Sequence, residues 1–142
     1  MIVLPITLAT SAILALLYIL LSIAVSGERR RSSIGLGTGA EASAALGKEH
    51  EAPRLLIAVR RHAHFAEYVP LSLILLLLLE MANTGRFVLI GLAVALIAAR
   101  LMIAAGIGRA APNVLRAGGN LVQLLMILVA SVYALIAAAT SF

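Results

Sequence analysis

Arg60, His64 and Glu67 stand four and three residues apart, a spacing that brings them within about 60° of one another on an α-helix. A guanidinium, an imidazole and a carboxylate on one face can hold an anion, pass a proton or pair among themselves. They open the segment Arg60-Arg61-His62-Ala63-His64-Phe65-Ala66-Glu67-Tyr68-Val69-Pro70, which runs directly into the nearly unbroken apolar stretch Leu71 to Leu79. Ionisable groups at the mouth of a membrane helix are costly to desolvate, so they face a bundle interior, pair, or meet a polar ligand. Arg61 and His62 point away from the shared face, and Arg61 is expected to snorkel to the lipid headgroups.

Arg100 is the second costly residue, alone in an otherwise apolar run from Phe87 to Ile107. Measured outward from the intervening turn, Glu67 and Arg100 reach the same depth, roughly 21 Å along two antiparallel helices. They are therefore expected to meet in the bundle interior, as a pair or as two walls of one pocket holding Arg60 and His64. With Arg116 nearby, cations outnumber the single carboxylate, and such an excess suits an anionic ligand gripped by guanidinium forks. A purely structural network that sets helix packing is the competing reading.

The elements that must position these groups follow from composition. The 142 residues are 63% hydrophobic and 12% charged, with a mean hydropathy of +1.11, far from the soluble average of about 25% charged. The fold class expected is an all-α integral membrane protein, a single domain over 1–142 with spans at about 2–27, 54–81, 87–107 and 120–140 and a polar loop at 28–53. Arg29, Arg30, Arg31, Lys48 and Arg54 lie in the first loop, Arg109 and Arg116 in the third, and Arg86 alone in the second. The positive-inside rule then makes the first and third loops cytoplasmic, with both termini on the opposite side. The net charge of +5 thus marks topology, and no nucleic-acid partner is expected.

Several other residues have plainer readings. Cysteine is absent, which removes disulfides and a cysteine nucleophile. No metal site is expected: His62 and His64 face different directions, and His50 between Glu49 and Glu51 is a solvated loop group. Gly35 to Gly39 has no GK[ST] ending and is not a phosphate loop. Glu80 is expected to reach headgroups or Arg86, while Asn120 and Gln123, three apart, are expected to hydrogen-bond a neighbouring helix.

Arg60-x3-His64-x2-Glu67-Tyr68-Val69-Pro70, with His62 two residues after Arg60, Glu80 closing the second span, Arg100-Leu101-Met102 with Gly106 in the third, and Arg116-Ala117-Gly118 before the fourth, resembles the MAPEG family, the membrane-associated proteins in eicosanoid and glutathione metabolism. The likeness covers about residues 25 to 130 and is nearest the bacterial inner-membrane branch. It implies a left-handed four-helix bundle assembled as a homotrimer in the plasma membrane, with glutathione as co-substrate between subunits near the cytoplasmic side. Arg60, His64, Glu67, Tyr68 and Arg100 would contact the tripeptide, and Arg116 with Arg100 would stabilise its thiolate, the attacking nucleophile.

This chain also departs from the family pattern. His64 stands where the motif has Asn, Ile103 and Ile107 stand where eukaryotic members have tyrosines, and Gly37-Thr38-Gly39 replaces Gly-Asp-Gly. Two functions are therefore expected as alternatives. One is a glutathione-dependent transferase or peroxidase acting on lipophilic electrophiles; the other is a non-catalytic membrane subunit that scaffolds lipids or a larger membrane complex. A channel or transporter would need repeated broken helices that the sequence does not show.

Overall fold

Four helices build the chain in a computed structural model that describes residues 4–38, 53–110 and 112–140. They are α1 (Pro5–Ser32), α2 (Pro53–Met81), α3 (Arg86–Gly106) and α4 (Val114–Ala139), and no strand occurs among the described residues. All four are long and apolar enough to cross a membrane. Helices are the form such a sequence must take, because each backbone N–H and C=O is satisfied inside its own segment when no water is at hand.

Leucines form the centre: Leu76 and Leu79 of α2, Leu89, Leu92 and Leu96 of α3, and Met126 with Ala130 of α4 pack as one buried cluster that also takes in Leu14 of α1. The outward faces stay apolar as well, with Leu8, Ile23, Leu101, Leu121 and Leu135 all more than half exposed. In a soluble protein such surface would drive aggregation; in a bilayer it is solvated by acyl chains.

Glycine decides how closely α3 and α4 approach. A Cβ on Gly106 would lie 2.7 Å from the Arg116 amide nitrogen, and one on Gly119 would lie 2.7 Å from Ile103 Cγ1 and 3.1 Å from the Ala99 carbonyl oxygen. Lipid tails are as apolar as side chains, so close backbone contact of this kind supplies much of the association energy.

Two polar contacts tie the helices at defined levels. Gln123 Nε2 donates to Ser72 Oγ at 2.7 Å, and that hydroxyl donates to the Tyr68 carbonyl at 2.9 Å, so Gln123 bridges α4 to α2 as its sequence position suggests. Glu80 meets a different partner from the headgroups or Arg86 that its position suggests. Its carboxylate accepts from the backbone N–H groups of Ile6 at 2.9 Å and Thr7 at 2.7 Å, capping α1, whose own N-cap Leu4 offers no side-chain acceptor. Headgroups or Arg86 were the expected partners. The free N–H groups at a helix start are the stronger attraction for a carboxylate near lipid. Glu80→Ala is expected to lower unfolding stability in detergent by about 1–2 kcal/mol, measured by thermal or denaturant melts; an unchanged midpoint would refute the capping role.

The helix boundaries differ from the expected spans chiefly at α4, which begins at Val114 rather than near residue 120. Asn113 is the reason. Its Oδ1 accepts from the amides of Leu115 at 3.1 Å and Arg116 at 3.3 Å, an N-cap strong enough for the helix to run straight through Gly118-Gly119.

Candidate functional site

The N-terminal half of α2 faces the last turn of α3 and the first turns of α4, and between them lies a groove of about 390 Å³. Arg60, His64 and Glu67 line it from α2, Ile107 and Gly108 from the end of α3, and Arg116 from α4. That volume falls in the range of small-molecule sites, about 300–1,000 Å³. The i, i+4, i+7 spacing does in the structure what it promised: one helix face carries three polar groups into one space. Arg60, Glu67 and Arg116 are exposed, and His64 is partly covered.

Arg116 arrives through local structure that spacing alone did not reveal. Asn113 caps the helix on which it rides and also donates from Nδ2 to the Gly106 carbonyl at 2.6 Å, joining the end of α3 to the start of α4. Gly106 lets the Arg116 backbone come within contact. An Asn just ahead of an apolar run is the sequence signal that could have found this.

Arg100 stands behind the groove and does not line it. It is 2% exposed, and its Nη1 donates to His64 Nδ1 at 3.3 Å and to the His64 carbonyl at 3.2 Å. The guanidinium also sits 5.6 Å from the centre of the Tyr68 ring, while Tyr68 stacks on the His64 imidazole at 4.7 Å and 20°. Nε and Nη2 of Arg100 have no partner among the described residues.

The expected Glu67–Arg100 pair does not form. Among the described residues the one ion pair is Arg31–Glu28 at 2.8 Å. Glu67 and Tyr68 are adjacent and so differ by about 100° in direction; Tyr68 takes the face that meets Arg100, and Glu67 takes the open one. Arg100 thus meets the residues one turn before and immediately after Glu67, and the rotation of α2 about its axis decides the contact.

Arg61 and His62 also differ from expectation. Arg61 donates from Nε and Nη2 to the Ile107 carbonyl, at 3.0 and 2.6 Å, instead of extending to headgroups. A cation at a helix C-terminus meets free carbonyls and the negative end of the dipole, which outweighs headgroup contact at this depth. His62 Nε2 lies 3.0 Å from Ser22 Oγ, and its ring is 4.7 Å from that of Tyr18, so it fastens α2 to α1. Because Arg61 pins the Ile107–Gly108 wall of the groove, Arg61→Ala is expected to cost about 1–3 kcal/mol and to loosen anion binding at the same time. Melting curves beside titrations would show this; a purely interfacial Arg61 would alter neither.

The described residues hold no group of three or more potential metal ligands drawn from His, Cys, Asp and Glu, and His50 lies outside them. What the groove offers is two exposed guanidinium groups, a hydrogen-bonding ring and one carboxylate beside apolar Ile57 and Ile107. That set matches a zwitterion with excess negative charge and an apolar portion.

A family model described as the MAPEG family matches residues 7–136, which takes in every groove residue and nearly all of the four helices. No match was found among curated proteins or among solved structures.

Proposed function

The chain belongs to the MAPEG family and is a multi-pass membrane protein, and from that premise we propose that the groove binds glutathione and presents its thiol to lipophilic electrophiles or hydroperoxides. The observation that carries this reading is the convergence of Arg60, His64, Glu67 and Arg116 on one groove bordered by apolar wall.

The residues fit the tripeptide by charge. Glutathione has two carboxylates, one ammonium and one thiol. Arg60 and Arg116 can each take a carboxylate or the developing thiolate, and Glu67 can take the ammonium. A guanidinium beside the sulfur favours the thiolate over the thiol, and the thiolate is the reactive form. In transfer, the sulfur forms a bond to the electrophilic carbon as that carbon's bond to its leaving group, or an epoxide C–O bond, breaks. The lipid-facing position of the helices lets an apolar substrate approach from the bilayer. In this reading the working unit is a homotrimer with the groove at a subunit seam, the first and third loops facing the cytoplasm of a bacterial inner membrane.

Calorimetry on the detergent-purified protein tests the reading directly. Glutathione is expected to bind, Arg60→Ala to weaken binding about tenfold or more, as for loss of a charge-assisted contact, and conjugation or peroxide reduction to follow the same order. No heat at millimolar glutathione would end it.

One observation favours the alternative of a non-catalytic subunit for lipids or a larger complex. Arg100 is buried behind His64, and Ile103 of α3 with Ile107 just beyond its end are buried side chains without hydroxyl groups. Purification in mild detergent separates the readings, since a scaffold would bring down a stoichiometric partner and ignore glutathione.

A further inference from the structure

We propose that Arg100 is a positioning residue that acts on the groove through His64, holding the imidazole as the tautomer whose proton is on Nε2. The consequence for a ligand rests on the anion-binding reading above; the tautomer itself does not.

The argument begins with what a guanidinium can do. It has five N–H donors and no acceptor, so the 3.3 Å contact between Arg100 Nη1 and His64 Nδ1 has one direction only. Nδ1 must accept. In a neutral imidazole the other nitrogen then carries the hydrogen. Nη1 uses its second hydrogen on the carbonyl of the same residue, at 3.2 Å, so ring and backbone of His64 are held by one nitrogen. Stacking on Tyr68 fixes the ring plane.

The groups around the ring come from three helices. Arg100 reaches it from α3, Arg60, Glu67 and Tyr68 share α2 with it, and α4 brings Arg116 to the same groove and Asn120 to the neighbourhood of the imidazole. With Nδ1 engaged, Nε2–H is the hydrogen available to Asn120 or to an anion in the groove. A carboxylate or thiolate there would meet a fixed neutral donor in the same groove as two exposed cations, Arg60 and Arg116.

The arrangement also accounts for the expense of Arg100. A fully buried guanidinium with two of its nitrogens, Nε and Nη2, unpartnered among the described residues is a poor packing element. Its value lies in orienting a ring that, unlike an asparagine amide, presents the right atom only in one of two tautomers.

The test has two arms. Histidine 15N labelling is tractable because the chain has three histidines, and His64→Asn assigns the His64 signals by removal. At about pH 8, where an ordinary imidazole is neutral, the His64 ring is expected to show its proton on Nε2 and a hydrogen-bonded acceptor shift at Nδ1. In Arg100→Met the acceptor shift should vanish. A proton on Nδ1 in the parent protein, or spectra unchanged by Arg100→Met, would overturn the proposal whether or not glutathione binds.

The second arm is a double-mutant cycle read as glutathione affinity. Arg100→Met should weaken binding about tenfold when His64 is present. It should weaken binding much less in the His64→Asn background, because the amide carries its donor without help. Equal losses in both backgrounds would mean that Arg100 acts without His64. If glutathione fails to bind the parent protein, the function proposed above is wrong, and the 15N spectra alone decide the role of Arg100.

Discussion

Arg100→Met should leave the bundle at least as stable in detergent as the parent chain while weakening glutathione binding about tenfold or more. The two halves of this expectation have one cause. Burying a cation costs several kcal/mol unless an anion or a full set of acceptors repays it, and Arg100 has His64 for one nitrogen and an aromatic face nearby, with Nε and Nη2 unpartnered among the described residues. A cation over an aromatic ring recovers only about 0.5–2 kcal/mol. Methionine has similar length, adapts to irregular gaps and carries no charge to desolvate, so the folded state loses little and can gain. Binding suffers because the His64 ring is no longer held. Thermal melts and calorimetry on one preparation decide the matter: a fall of more than about 3 kcal/mol, the range for breaking a matched buried pair, with affinity intact, would make Arg100 a packing element.

Gly106→Ala should lower stability by about 1–3 kcal/mol, the usual cost of overpacking, and should also reduce affinity at the groove. The added methyl would lie 2.7 Å from the Arg116 amide nitrogen and 3.0 Å from its Cα. Those atoms are backbone at the start of a helix capped by Asn113, and Asn113 is itself bonded to the Gly106 carbonyl. Relief therefore requires α4 to shift, and Arg116 shifts with it. Gly91 supplies the control. It lies in the same helix with nothing within 4 Å of the added Cβ, so Gly91→Ala should stabilise α3 by about 0.5–1 kcal/mol through the backbone entropy term alone. If both substitutions behaved alike, close contact at Gly106 would not be what joins α3 to α4.

The groove and the bundle are linked by these same contacts. Arg61 holds the end of α3, Asn113 joins that end to α4, and Gly106 sets the distance between them. A change at any of the three moves Ile107, Gly108 or Arg116, which form the wall of the groove opposite α2. Substitutions far from ligand can thus alter binding by displacing a wall.

Composition and hydropathy by themselves determined that this chain is four membrane helices, because the requirement for about 20 apolar residues per crossing leaves few alternatives. The Arg60, His64, Glu67 face was equally legible, since spacing along one helix fixes relative direction without reference to anything else. The tertiary structure alone decided which residues meet across helices. Arg100 turned to His64 and Tyr68 instead of Glu67, Arg61 to the Ile107 carbonyl instead of headgroups, and Glu80 to the start of α1 instead of Arg86. Each of these depends on the rotation of one helix against another, which close packing at glycines and the satisfaction of buried N–H and C=O groups set. In a lipid-facing bundle apolar residues cover every side of a helix, so hydropathy has no azimuth to report, and only the assembled contacts supply one.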